Sequence, residues 1–261
     1  MVITENSQTA GPPLEVLSQR EVYHEQGGAD FTVTEVQARV KATGEAVQFN
    51  VVDVKNGAVG AVCVAERTGS NSGSEGEDKD IASIASGCTD GTDRPRSLSH
   101  CQLLIGHHWR VATNEFAWEF PRGMGESLRP EEITMAGETS GVGEASETPA
   151  QTALREFREE TGISVPESAV TVWQTIHADS GLLAGAIAVA NIRVDESVLD
   201  SSKSMNVECS QSMLQSDWEL GDSLRWVSVN DFESMIARGE ITDGITLAAY
   251  TIWKLRRGAK S

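Results

Sequence analysis

Residues 141–163, GVGEASETPAQTALREFREETGI, decide how this chain of 261 residues folds. Thr148 is a favourable helix N-cap, Pro149 suits the first helical turn, and Gln151 completes a capping box. Gly162 can adopt the left-handed conformation that ends a helix. The stretch therefore predicts a helix that begins after Thr148 and ends before Gly162, with Ala150, Ala153, Leu154 and Phe157 on the face that packs into a core.

Acidic side chains gather on another side of this predicted helix. Each residue advances about 100° around the axis, so Glu156 and Glu160 lie one turn apart, with Glu159 beside them and Arg155 within reach of Glu159. Carboxylates this close repel, and near a core one would take up a proton unless a cation compensated. Oxygen ligands of this kind favour Mg²⁺ or Mn²⁺. A solvated acidic face is the alternative, but the spacing of the surrounding residues favours a metal site.

The full spacing is G-x5-E-x7-R-E-U-x-E-E-x-G-U, where U is a bulky apolar residue. Nine positions fit it: Gly141, Glu147, Arg155, Glu156, Phe157, Glu159, Glu160, Gly162 and Ile163. This pattern resembles the Nudix box, the signature of hydrolases acting on a nucleoside diphosphate linked to another moiety. The resemblance implies that Glu156, Glu159 and Glu160 hold metal ions. It also implies that Arg155 orients these acidic side chains. It also implies that Gly141, Glu147 and Gly162 are structural positions of the box.

The resemblance extends beyond the box. The stretches 59–65, 103–110 (LLIGHHWR), 118–123 (WEFPRG) and 226–244 are similar to the ADP-ribose pyrophosphatase branch of the family. The resemblance implies an α+β Nudix fold, in which a mixed β-sheet lies between α-helices and an N-terminal antiparallel β extension precedes it. In that branch the extension forms intertwined homodimers. Gly123 also follows a Pro-x element, so residues 124–140 are interpreted as an insertion, and either Gly123 or Gly141 fills the box position.

Further site residues follow from the resemblance and from side-chain chemistry. Arg110 is the best candidate for a phosphate clamp, because a guanidinium binds two oxygens at once, although it could instead pair with a surface carboxylate. Trp118 or Trp109 could stack on an adenine, or simply belong to the core. Glu119 lies in the Glu-Phe-Pro element and could orient an Arg or a metal.

The general base is open at this point. Glu219 fits best by its offset before the predicted strand at 224–229, with Glu208 second, and Glu159 could deprotonate the water instead. The histidines at 107, 108 and 177 do not form a persuasive metal set, and the adjacent pair is expected to be solvated.

The rest of the chain is divided by composition and pattern. We expect a flexible tail at 1–17, the N-terminal β extension at 18–57, and the hydrolase domain at 58–257. Residues 68–99, rich in Ser, Gly, Asp and Glu, are predicted to be a disordered insertion. Near the end, a short helix capped by Asn230 is predicted at 231–237 and a last helix at 245–257.

Net charge and cysteine use limit the partners. The net charge is −18 at pH 7, which disfavours nucleic acid and anionic membranes as partners and leaves a small-molecule substrate. No signal peptide and no apolar stretch long enough to span a bilayer is evident. We therefore expect a cytoplasmic protein with free thiols, in which Cys63 and Cys101 lie in core strands.

Three functions fit the sequence. The first is Mg²⁺-dependent hydrolysis of a nucleoside diphosphate sugar, with ADP-ribose giving AMP and ribose 5-phosphate. The second is hydrolysis of another diphosphate, such as a dinucleoside polyphosphate, a coenzyme A type molecule or an oxidised nucleotide. The third is a Nudix module that senses a nucleotide sugar without cleaving it. The intact set of box carboxylates favours a hydrolase.

Overall fold

The computed structural model describes residues 11–26, 30–54, 58–68, 101–126, 146–195 and 220–258. The chain divides into two compact units. The first comprises residues 1–60, 124–149 and 175–188, and the second comprises residues 61–123, 150–174 and 189–261.

The elements follow one another in the order of a mixed α+β chain, as predicted. The strands are β1 (Leu14–Glu25), β2 (Phe31–Val40), β3 (Ala46–Val54), β4 (Gly60–Thr68), β5 (Cys101–Arg110), β6 (Glu115–Glu119), β7 (Arg122–Gly123), β8 (Val170–Ile176), β9 (Ile187–Arg193) and β10 (Leu220–Ser228). The helices are α1 (Pro149–Thr161), α2 (Val229–Ala237) and α3 (Gly244–Gly258), with a short 3₁₀ turn at Glu167–Ala169.

The N-terminal unit contains a three-stranded antiparallel sheet in the order β1-β2-β3. This confirms the predicted antiparallel β extension. Beside it, Val52 accepts a hydrogen bond from the N–H of Ala184 at 2.9 Å and donates one to the carbonyl of Leu182 at 2.9 Å. In the same unit, the Glu147 N–H donates to the Glu126 carbonyl at 2.9 Å, and the Glu126 N–H donates to Glu147 Oε2 at 3.1 Å.

The larger sheet has the order β10-β5-β4-β9-β8, with β6 paired to β5 and β7 paired to β4. Successive side chains on a strand point to opposite faces. On β4, Cys63 donates its thiol to the Ala153 carbonyl of α1 at 3.4 Å, whereas Glu66 accepts the indole N–H of Trp253 in α3 at 2.9 Å. Because these two strand positions differ by an odd number, α1 and α3 cover opposite faces. The predicted sheet between helices is confirmed.

Each face of this sheet has its own buried contacts. The α1 side holds Ala61, Cys63, Ala65, Leu104, Ala153, Phe157, Ala190, Ile192 and Val194. On the other side, Phe120 stacks on Phe232 of α2 with ring centroids 5.2 Å apart, and Phe232 contacts Tyr250 of α3 at 4.7 Å. Both faces of β4 are therefore buried. This explains why its sequence is an unbroken apolar run as far as Ala65.

The structure corrects several predicted boundaries. β1 already begins at Leu14, so the flexible tail predicted for residues 1–17 is too long. Asn230 does not cap α2, because the helix begins at Val229 and the Ser228 hydroxyl accepts from the Asp231 N–H at 3.1 Å. The insertions predicted at 68–99 and 124–140 lie almost entirely outside the described residues. None of the described helices combines the length and apolar character needed to cross a bilayer.

Candidate active site

Helix α1 forms as predicted and presents its three glutamates. It spans Pro149–Thr161, and Gly162 follows with φ 70° and donates its N–H to the Arg158 carbonyl at 2.8 Å. Ala153 and Phe157 are fully buried. Their packing fixes the rotation of the helix about its own axis, and this sets the direction in which the glutamates project. The positive φ explains why glycine suits position 162.

Arg155 contacts two of the three glutamates. Its Nη1 donates to Glu156 Oε1 at 2.8 Å and to Glu159 Oε2 at 3.1 Å. The side chain of Glu156 is 13% exposed and that of Glu159 is 44% exposed. The predicted reach from Arg155 to Glu159 is therefore confirmed, and one guanidinium contacts a partly buried and an exposed carboxylate.

Glu160 is partly buried and has a raised pKa. Its pKa rises from 4.5 to about 8, mainly through burial and also through the neighbouring charge of Glu156, and this is the net result after a backbone hydrogen bond and two arginines have opposed the rise. That hydrogen bond comes from the Arg122 N–H to Glu160 Oε2 at 2.9 Å. A cation bound beside the two carboxylates would favour the ionised form of Glu160.

Gly123 lies directly against the cluster. A Cβ atom built on Gly123 would lie 1.9 Å from Glu156 Cδ and 2.1 Å from both carboxylate oxygens. Only glycine leaves room for this carboxylate beside β7. Gly141, the other residue considered for the box position, lies outside the described residues.

A second group of charges surrounds Glu119, which is 1% exposed. Arg110 donates from Nε to Glu119 Oε1 at 2.9 Å and from Nη2 to Oε2. Arg122 donates to Oε2 from Nε at 3.1 Å and from Nη2 at 2.8 Å. Burial alone would raise the Glu119 pKa, but the hydrogen bonds and charges of the two arginines outweigh it and lower the pKa. Glu119 thus orients arginines, one of the two roles considered for it.

Asp243 completes this group and connects it to α3. Its Oδ1 accepts from Arg122 Nη2 at 3.3 Å, and its Oδ2 accepts from the Thr246 N–H in the first turn of α3 at 2.8 Å. The Thr246 hydroxyl accepts from the Phe120 N–H at 3.1 Å. Sequence reasoning missed both Arg122 and Asp243. Asp243 lies three residues before Thr246, and this spacing predicts a helix cap. It does not predict the contact between Asp243 and Arg122.

Trp118 lies on the other face of the β5–β6 ribbon. Gly106 pairs with Glu119 and His107 pairs with Trp118, and directly paired residues share a face. Trp118 stacks on His107 with ring centroids 4.3 Å apart, and the Arg225 guanidinium carbon lies 3.9 Å from its ring centroid. The structure therefore does not bring Trp118 to the face that carries Arg110 and Glu119.

His108 is on the same ribbon face as Arg110, and the expectation that it is solvated is wrong. It is 4% exposed, and among the described residues its buried Nε2 has no hydrogen-bond partner. Burial, followed by the charge of Arg110, lowers its pKa to about 4. It is a neutral imidazole at neutral pH because two arginines and a dry environment disfavour a further positive charge.

The remaining predicted residues are not placed in this group. Glu219 and Glu208 lie outside the described residues. Glu147 lies in the N-terminal unit, where it bonds Glu126. Cys63 and Cys101 are free, with Cys63 fully buried and Cys101 half-buried.

The acidic cluster offers oxygen donors to a metal ion. Over the described ranges, no three His, Cys, Asp or Glu side chains converge closely enough to enclose an ion. Arg155 occupies oxygens of Glu156 and Glu159. The donor atoms are nevertheless all carboxylate oxygens. The residue types fit Mg²⁺ or Mn²⁺, after a side-chain rotation that frees the oxygens from Arg155.

Comparison with known proteins identifies the family of the chain. The NUDIX domain model matches residues 99–249, which is more than half of the chain, and the chain belongs to this family. It is therefore an enzyme of the Nudix hydrolase class. A crystal structure of an ADP compounds hydrolase is similar in fold, with a TM-score of 0.53, 12% sequence identity, and coverage of 95% of this chain and 97% of that chain. A search of curated proteins gave no match.

Proposed function

We propose that the chain hydrolyses the pyrophosphate bond of a nucleoside diphosphate sugar, with ADP-ribose giving AMP and ribose 5-phosphate. The observation that carries the proposal is the placement, within one compact unit, of the partly buried Glu156 and Glu160 next to two arginines that share Glu119. Such an arrangement offers carboxylates for a cation and guanidinium groups for phosphate oxygens. The similarity to a structure named as an ADP compounds hydrolase favours an adenosine diphosphate compound.

In the proposed mechanism each residue has a separate task. Mg²⁺ or Mn²⁺ held by Glu156, Glu159 and Glu160 would neutralise phosphate charge and lower the pKa of water. Arg155 keeps Glu156 and Glu159 oriented through its two hydrogen bonds. Arg110 binds the diphosphate and holds it in line for attack on one phosphorus.

A general base then takes the proton of the attacking water. We propose Glu219, with Glu208 as the second candidate and Glu159 as the alternative within the box. A Glu219→Gln variant is expected to lower kcat and to remove the acidic limb of the pH–rate profile. An unchanged pH–rate profile would contradict Glu219 as the general base and favour Glu159.

Gly123 is proposed as the glycine that fills the structural position of the box. It is supported by the contact between Gly123 and the Glu156 carboxylate. On this proposal, residues 124–140, together with Gly141, belong to an insertion between the glycine and the catalytic helix.

We also propose a homodimer formed through the N-terminal sheet. Five large apolar side chains on this sheet are between 43% and 55% exposed: Val16, Leu17, Val22, Tyr23 and Phe49. Exposed apolar groups at this density are typical of a covered surface. Light scattering should give a dimer mass for the wild type and a monomer mass for a Tyr23→Lys, Phe49→Lys variant. A cytoplasmic location is proposed from the free thiols of Cys63 and Cys101.

One experiment tests the proposed activity directly. Wild type and Glu160→Gln are assayed with Mg²⁺ against ADP-ribose, a dinucleoside polyphosphate, a coenzyme A type compound and an oxidised nucleotide, and the phosphorylated products are identified. We expect ADP-ribose to be the best substrate and the variant to lose roughly 10²–10³-fold in kcat.

The matched control is Glu167→Gln, since Glu167 is an exposed residue of the 3₁₀ turn in the same unit. This control should keep wild-type activity. Equal activity of wild type and Glu160→Gln would refute the metal assignment. Binding of ADP-ribose without cleavage of any compound would contradict the proposed hydrolysis and favour a module that senses a nucleotide sugar.

A further inference from the structure

Two guanidinium groups share one buried carboxylate oxygen. Nη2 of Arg110 and Nη2 of Arg122 both donate to Glu119 Oε2. Two donors that bond the same acceptor oxygen lie within about 6 Å of each other. Two positive groups this close repel unless anions lie between or beside them, and Glu119 supplies only one negative charge.

Each arginine also keeps part of its donor capacity. The hydrogen bonds of Arg110 and Arg122 come from Nε and Nη2, so within the described part of the chain the Nη1 groups make none. The side chains are 37% and 22% exposed, in contrast to Glu119 at 1%. Both arginine side chains are therefore partly accessible to a ligand, whereas the carboxylate that supports them is not.

Asp243 and Glu160 also act electrostatically on the pair, so the case for a ligand rests on the unused donors of the arginines and not on an unbalanced charge. Asp243 accepts from Arg122 at 3.3 Å, and it also caps α3 through the Thr246 N–H. Its negative charge is therefore shared with the positive end of the α3 dipole. On its other side, Arg122 gives its backbone N–H to Glu160, so its position is tied to the acidic cluster of α1.

We propose that Arg122 acts with Arg110 as a two-guanidinium clamp for the diphosphate group, with Glu119 as their common support. Adjacent phosphates present charged oxygens in the spacing that two neighbouring guanidinium groups can bind, whereas a single phosphate engages only one of them fully. The clamp thereby selects ligands with two linked phosphates over ligands with one. This inference rests on the proposed function, because it assigns the group that recognises its substrate.

The test measures binding of ADP and AMP by calorimetry in EDTA, without turnover. Wild type should bind ADP more tightly than AMP. Arg122→Gln should weaken ADP binding by about 10- to 100-fold, the effect of losing charge-assisted hydrogen bonds, and AMP binding by less than about 3-fold. In the presence of Mg²⁺, the same variant should raise KM for the diphosphate substrate more than it lowers kcat.

Arg238→Gln is the matched control. Arg238 also donates from Nε and Nη2 to one carboxylate, that of Glu240, at 2.6 and 3.1 Å, but this pair is exposed. Both variants remove one positive charge. Unchanged ADP binding in Arg122→Gln, equal weakening of ADP and AMP, or an equal loss in Arg238→Gln would each overturn the clamp.

A conservative variant separates a loss of ADP binding from a loss of folding. Arg122→Lys keeps the charge but lacks the planar fork, so it should fold and still weaken ADP binding by about 10-fold. Wild-type ADP affinity in this variant would overturn the proposal. The outcomes also separate the two proposals: selective, Arg122-dependent ADP binding without hydrolysis would refute the activity alone, and normal hydrolysis with unchanged binding in the variants would refute the clamp alone.

Discussion

Replacing Gly123 with alanine adds a single methyl group at the most crowded point of the site. The new Cβ would lie 1.9 Å from Glu156 Cδ, and real Cβ contacts essentially never fall below 3.0 Å. The carboxylate must therefore retreat by at least about 1 Å. A misplacement of this size in a catalytic group costs on the order of 10²-fold in rate.

The same substitution should hardly affect stability. Gly123 has no positive φ, and the atoms in conflict belong to the far end of a flexible side chain. Glu156 can turn away at a cost of about 1 kcal/mol or less. We therefore expect kcat for ADP-ribose to fall about 100-fold while the melting temperature changes by no more than about 3 °C.

Gly162→Ala provides the opposite combination and serves as the control. Nothing lies within 4 Å of a Cβ at Gly162, but its φ of +70° is strained for any residue with a side chain. This variant should lose about 1–2 kcal/mol of stability and keep kcat within about 2-fold. Steady-state kinetics and thermal unfolding of both variants decide the matter. Wild-type kcat in Gly123→Ala would show that Glu156 does not need its present position, and the reasoning would be refuted.

Two further predictions concern buried charges. Metal-free protein should lose stability between pH 5 and pH 8. The pKa of Glu160 is raised from 4.5 to about 8 in the folded state, mainly by burial. The neutral form stabilises the fold below the unfolded pKa, and this contribution is lost as the pH rises through the folded pKa. Thermal unfolding in EDTA should show a smaller fall in Glu160→Gln and a smaller fall with Mg²⁺; identical profiles would contradict the shift. Glu66, 3% exposed, accepts from Trp253 at 2.9 Å and pairs with Arg257. Glu66→Ala should cost about 3 kcal/mol, and calorimetric unfolding at the wild-type temperature would contradict this value.

The helix that presents the three glutamates was predictable because its signals are local. Thr148, Pro149 and Gly162 lie within fifteen residues of one another in sequence, and the helix begins and ends at the positions that they predict. The placement of Cys63 in a core strand was likewise predictable from the apolar run around it. Local pattern was sufficient to predict that these elements form, although the strands that pair with β4 are distant in sequence.

The charge network was not predictable for the opposite reason. Arg122 meets Asp243 across 121 positions of sequence, and no local pattern indicates that β7 and the start of α3 come together. The sequence also could not show which face of the β5–β6 ribbon Trp118 occupies. That depends on the pairing of His107 with Trp118, and a shift of one residue would have reversed it.

The two hydrogen bonds between Glu126 and Glu147 have a consequence for engineering. They hold the chain together at two positions 21 residues apart in sequence. For a flexible loop closed at such a point, each doubling of length should cost only about 0.6 kcal/mol in closure entropy. Variants with an altered length between these two residues would measure that cost by thermal unfolding.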